Sequence, residues 1–257
     1  MKGLFRETLL EFFDRKQHWL ILLVTAVSSA IIYFAVSGQV ELVKNEISSP
    51  ASLVLSASHG LSNFVTALVM LSVVSIIFLF PRLARKGRVE FYLSKPITRS
   101  TLFYGKVISL SLIYGLMILM GGAAAAGVLH FLGALPLSAS AYILVLGAAA
   151  FLVWLSVVSC VGLLTKSVPI SLAAFAVIWI VQLFLNHRSE WGIEQRVVQL
   201  TLNAFYYLLP KTSEMSDLSV QLAMGAEAAN FLPLFTSLAL AGMLTYYSKS
   251  VFCQRDF

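Results

Sequence analysis

From Trp19 to Val36 no position carries a charge, and five more stretches read the same way: Leu61–Phe80, Val107–Leu132, Tyr142–Leu164, Val168–Leu185 and Phe231–Tyr247. An uncharged apolar run of about 17–25 residues, coiled as a helix, is long enough to cross the ~30 Å hydrocarbon core of a bilayer. The pattern therefore predicts six membrane-crossing helices and an all-α polytopic fold. The polar intervals supply the connections. Ser37–Gly60 reads as an outer loop with an "SSP" break and an "ASHG" turn cluster that places His59 in solvent, "GALPLSAS" as a short outer turn and "TKSVP" as a short inner one. Ahead of the first run, residues 1–17 place Phe5, Leu9, Phe12 and Phe13 at i, i+4, i+7 and i+8 among charged positions, the pattern of an amphipathic helix lying in the membrane interface. Residues 186–230 hold a further helix-like stretch, "WGIEQRVVQLTLNAFYYLLP", predicted to lie on or dip into the outer leaflet.

Composition fits this reading. Of 257 residues, 59% are hydrophobic and 12% charged, about half the charge of an ordinary soluble domain. Orientation follows from Lys and Arg. With the N-terminus inside, fourteen of the eighteen basic residues fall in segments 1–18, 81–106, 165–167 and 248–257, which places both termini in the cytoplasm. The net charge of +6 then belongs to the inner leaflet rather than to nucleic-acid binding. The chain reads as one domain, 1–257. Its charged N-terminal region is too long, and the first apolar run too full, for a cleaved signal peptide.

Several chemistries are missing from the sequence. Gly105-Lys106 is followed by Val107, and Ser100 stands where the first glycine of a phosphate-binding loop belongs, so no nucleotide site is expected on this chain. No carboxylate lies inside a predicted span to relay protons or bind sodium. Cys160 and Cys253 have no disulfide or metal spacing, and His130 is a lone interfacial histidine. No catalytic, cofactor-binding or metal site is assigned. In the third span "GGAAAAG" offers the small-xxx-small pairs Gly122/Ala126 and Ala123/Gly127 for close helix packing.

Residues 81–106 stand apart. They carry seven basic side chains, an apolar stripe of Val89, Tyr92 and Leu93, and Pro96, which stops a helix near Ser94; Thr98 is placed to cap its restart into the third span. Basic charge alone would anchor an inner loop, whereas the stripe and the fixed corner predict a docking knob. "VEFYLSKPITRSTLFYGK" resembles the signature of ABC-2 type transporter permeases at Glu90, Leu93, Ser94, Pro96, Ile97, Thr98, Arg99, Gly105 and Lys106. The six-run count, the amphipathic N-terminal "elbow" and the terminal Arg255-Asp256 pair are also similar to that family, and within it to the permeases found beside nitrous-oxide reductase maturation genes. Lys95 departs from the small or apolar residue common at its position.

The resemblance implies a permease of the cell (inner) membrane, working in the usual direction of export. It would form a dimer of two copies with two separate P-loop ATPase subunits that hold the ATP and Mg. The coupling contact would use Arg85, Arg88, Val89, Glu90, Tyr92, Leu93, Ser94, Pro96 and Arg99, with Thr98, Gly105 and Lys106 restarting the helix. The outer segment 186–230 could also dock a periplasmic or extracellular partner. The alternative expectation is a membrane scaffold or assembly factor that recruits a cytosolic ATPase and transports nothing.

Overall fold

A computed structural model describes residues 2–14, 17–44, 49–83, 97–186, 201, 203–207, 209–225 and 230–254. Among the described residues the regular structure is entirely helical: α1 (Lys2–Asp14), α2 (Gln17–Lys44), α3 (Pro50–Ile77), α4 (Leu79–Leu83), α5 (Arg99–Phe131), α6 (Leu137–Thr165), α7 (Val168–Asn186), α8 (Thr212–Ala223) and α9 (Leu232–Gln254). Five rods are long and apolar enough to cross a membrane, namely α2, the joined α3–α4, α5, α6 and α7. The protein is thus an α-helical, multi-pass membrane protein. Helix α9 falls outside that set; Thr236, Ser237, Tyr246, Tyr247, Ser248, Lys249 and Ser250 dilute its hydropathy.

The rods run longer than the charge-free stretches. The interval Ser37–Gly60, expected as a loop, is helical over residues 37–44 and 50–60, so His59 is an exposed residue of α3 and not a loop residue. The correction has a simple cause. Polarity marks where a helix leaves hydrocarbon, not where it stops. Helix α3 begins where Ser49 accepts the backbone N–H of Ser52 and Pro50 fills the first helical position, where no N–H is needed. Between α3 and α4 the rod breaks at Phe78. Pro81 explains the place: it lacks the N–H that would reach the carbonyl of Ile77 and its ring crowds that turn. At the far end of α5, Gly133 takes φ +70, and the N–H of Ala134 returns 3.0 Å to the carbonyl of Leu129, closing the helix.

Helix α6 is the centre of the bundle. Val65 faces Gly147 and Phe80 faces Gly162, so α3–α4 and α6 run side by side in the same direction at constant register. Helix α5 runs against both, with Gly121 against Leu68 and Gly122 between Leu144 and Val65. Trp154 and Phe175 meet edge to face at 4.9 Å across the α6–α7 hairpin, whose tip is Lys166 at φ +52. Of the small pairs read in the third span, Gly122 and Ala126 lie on the buried face of α5, whereas Ala123 is exposed and Gly127 faces open space. Equally close approaches come from Gly147 and Gly162 on α6, which no small-residue stripe in α5 announced.

Helix α8 is the least expected element. Thr212 accepts a hydrogen bond from Trp154 Nε1 at 3.2 Å, and Trp154 lies about 25 Å along α6 from Leu137. Ser62, close to the level of Gly147, meets Ser216 at 2.7 Å and Ser219 at 3.3 Å. From Thr212 to Ser219 the helix therefore climbs back toward the end of the bundle at which α7 finishes and α9 begins. It is a short helix inserted among the spans. Its polar surface is tolerated there because neighbouring side chains satisfy it.

Candidate functional site

Two regions at opposite ends of the bundle hold the chemistry. The first is the basic end, where α4 stops and α5 starts. Thr98, in extended conformation, accepts the N–H of Thr101 at 3.2 Å, so α5 begins at the residue expected to restart it. Residues 84–96, which include Arg85, Arg88, Val89, Glu90, Tyr92, Leu93, Ser94 and Pro96, lie outside the described residues, as does the Arg255-Asp256 pair. What is described is how that segment is held at both ends. Leu83 closes α4 at 6% exposure, and Leu102 and Phe103 in the first turn of α5 are fully buried.

Two basic residues of the motif point inward. Arg99 Nη1 donates to the carbonyl of Cys253 at 3.1 Å, placing a cation at the carboxyl end of α9 where the helix dipole favours it. Phe103 lies 6.0 Å from Phe252, which is fully buried against it. One turn further along α5, Lys106 is 6% exposed. Its Nζ donates to Thr8 Oγ1 at 3.2 Å and to Glu11 Oε2 at 3.3 Å, with Glu7 Oε1 at 4.0 Å. A cation withdrawn this far from water needs such partners. Phe12 then stacks edge to face on Tyr114 at 5.4 Å.

Helix α1 thus docks through Thr8, Glu11 and Phe12, leaving Phe5 and Leu10 exposed. The amphipathic pattern located the helix and its apolar residues, but the polar docking face went unread. A lysine at the very edge of a predicted span, needing an acid, was the available signal. Gly105 is buried beside Lys106, and Arg82 at the end of α4 is exposed.

The second region is a cavity of about 250 Å³ between α3, α6, α7 and α8. One wall is polar, with Ser62, Asn63 and Thr66 from α3, Gln182 from α7, and Ser213 and Asp217 from α8; the other is apolar, with Met70, Leu146, Trp154 and Trp179. Gln182 explains how α8 can begin here. Lys211 at its N-cap supplies no capping side chain. The amide orientation of Gln182 that satisfies every neighbour puts its oxygen 2.9 and 3.0 Å from the N–H groups of Thr212 and Ser213, and its nitrogen 3.3 Å from the Pro210 carbonyl. The cap comes from a different helix.

Lys211 itself is 2% exposed. Its Nζ donates to Thr236 Oγ1 at 3.0 Å and sits 4.5 and 4.4 Å from the ring centres of Tyr206 and Tyr207, while its N–H reaches Ser237 Oγ at 3.0 Å. Tyr206 in turn donates to the Glu214 carboxylate. The helix expected over 190–210 is described at 201 and 203–207, which are helical, and at 209–210, which are not; the remainder lies outside the described residues. Among the described residues no His, Cys, Asp and Glu group could hold a metal ion.

A polytopic helical bundle whose motif residues Arg99 and Lys106 turn inward at one end, with an amphipathic cavity toward the other, has the build of a membrane transport subunit. Residues 84–257 match the ABC-2 family of transporter proteins, about two thirds of the chain, and the protein belongs to that family. None of the curated proteins compared with the chain matches it.

Proposed function

We propose that the chain is the membrane-spanning half of an ATP-driven exporter, moved by a separate P-loop ATPase that binds ATP and Mg and grips residues 84–99. The observation that carries this reading is the anchoring of the motif segment. Its two ends continue into α4 and α5, whose adjoining residues Leu83, Leu102, Phe103 and Lys106 are buried. A force delivered to α4 or α5 at these residues therefore acts on the packed rods themselves. Helices α3, α6 and α9 run one way and α2, α5 and α7 the other, which supports α9 as a sixth crossing. The Lys/Arg bias then puts both termini and the motif segment in the cytoplasm. Two copies would pair across outward faces such as those of α2 and α7, where Phe34 and Phe184 are exposed.

The cavity is the proposed cargo position. Its polar wall suits a hydrogen-bonding head and its apolar wall, with Trp154 and Trp179, a hydrophobic body. Amphiphilic cargo fits this pairing of walls, with Asp217 of α8 as the charged member of the lining. Movement of α8, one wall of the cavity, would change its shape as the rods shift in a rigid-body transition.

Coupling variants test this reading. In the reconstituted complex, Glu90→Ala and Tyr92→Ala should lower ATP hydrolysis several-fold by weakening transmission from permease to ATPase. Unchanged ATP turnover, with the ATPase still bound, would instead favour a scaffold.

A further inference from the structure

We propose that α9 is a strut joining the motif end of α5 to the inserted helix α8, with Arg99 and Phe103 as positioning residues at one end and Lys211 at the other. The contacts at both ends are specific. At the basic end Arg99 holds the Cys253 carbonyl at 3.1 Å, and Phe103 packs on Phe252 with both side chains fully buried. At the other end Thr236 and Ser237 receive the side chain and the backbone N–H of Lys211, each at 3.0 Å, immediately before α8 begins. Ser237 and Cys253 are sixteen residues apart in one unbroken helix, a separation of about 24 Å along its axis. A continuous helix is stiff along its axis, so displacement at Cys253 reaches Lys211.

The flank of α9 allows such displacement. Its buried face is built largely of small side chains, Ser237, Ala241 and Ser248, between Pro233 and Phe252. Small side chains form shallow ridges, and shallow ridges slide past a neighbouring helix more easily than interlocked large ones. Beyond Lys211 the linkage continues without a gap. Thr212 is tied to Trp154 and Gln182, and Ser216 to Ser62, all five of which line the cavity. The motif segment and the cavity are then joined by a contiguous set of contacts rather than by mere proximity. The strut gives the transport reading a route from one end to the other, but it rests on intramolecular packing and is tested without an ATPase.

Hydrogen–deuterium exchange on the full-length chain in lipid nanodiscs supplies the test. Arg99→Gln and Phe103→Leu should speed exchange of the α8 amides, residues 212–223, by about threefold or more at the opposite end of α9, and Arg99→Lys should restore much of the protection. Lys106→Met is the control: it frees α1 from the same stretch of α5 without touching α9, and should speed α8 exchange far less than the Arg99 and Phe103 variants do. Thr236→Val paired with Ser237→Ala probes the other direction and should speed exchange at residues 248–254. Protection of α8 that is unmoved by the Arg99 and Phe103 variants while residues 248–254 exchange faster would overturn the strut. Equal loosening of α8 by Lys106→Met would overturn it too, since the effect would then be general destabilisation. Either result leaves ATPase binding untouched as a separate question.

Discussion

Replacing Lys106 by methionine releases α1 from the bundle. Methionine fills the space of the lysine stem but offers nothing to Glu11, whose side chain is 18% exposed and whose Oε2 now sits 3.3 Å from the lysine nitrogen. Removing one member of a desolvated ion pair costs about 3–5 kcal/mol. The contribution of Glu7 is smaller, because it stands 4.0 Å away with 36% of its side chain exposed and water screens it. The expected results are rapid proteolysis around residues 14–17 and a lower melting temperature in detergent. A companion variant isolates the cause. Lys106→Met with Glu11→Leu removes both charges, and a desolvated pair replaced by apolar groups of similar size is often close to neutral. The double variant should therefore recover most of the lost stability. If it melts as low as the single variant, packing rather than charge holds α1.

The second large effect falls on Gly162. A Cβ there would stand 2.8 Å from Phe80 Cβ and 3.1 Å from Pro81 Cδ. Those atoms belong to the kinked turn of α4 and cannot swing aside as a side-chain tip can. Gly162→Ala should cost about 1–3 kcal/mol by overpacking, and Gly162→Leu should prevent α4 from seating on α6 at all. Gly122→Ala is milder, since its nearest obstacle is Leu144 Cδ2, the flexible end of a side chain. Gly127 has nothing within 4 Å, so Gly127→Ala should be neutral or stabilising by about 0.5–1 kcal/mol through helix propensity. Thermal unfolding of the three alanine variants should rank them in that order. A Gly127→Ala protein that melts lower than Gly162→Ala would mean that α4 does not contact α6 as described.

The contrast between these glycines shows what a sequence can reveal about such a fold. Uncharged runs located the membrane rods because bilayer thickness imposes a length, and Thr98 located the start of α5 because capping chemistry acts within a few residues. Tertiary contacts have no comparable local mark. Ala123/Gly127 and Gly122/Ala126 look alike in the sequence, yet only the second pair faces neighbours, and which side of α5 faces inward is decided by Val65 and Leu144 on other helices. Lys106 and Glu11 lie 95 positions apart. Helix α8 went unread because Thr212, Ser213, Ser216, Asp217 and Ser219 look like loop; only Met215, Leu218 and Leu222 keep helical spacing. Thr212, Ser213, Ser216 and Ser219 are matched by Gln182, Trp154 and Ser62, which read as ordinary members of apolar spans.

If a separate ATPase turns this chain by its motif segment, purification from native membranes will show the two together. Captured by a tag on its C-terminus in mild detergent, the wild-type protein should bring with it a P-loop subunit and ATP hydrolysis that vanadate inhibits, and Tyr92→Ala with Leu93→Ala should lose both while the permease stays folded. Wild-type protein that retains its bundle but carries no ATP hydrolysis, or double-variant protein that retains all of it, would contradict the account.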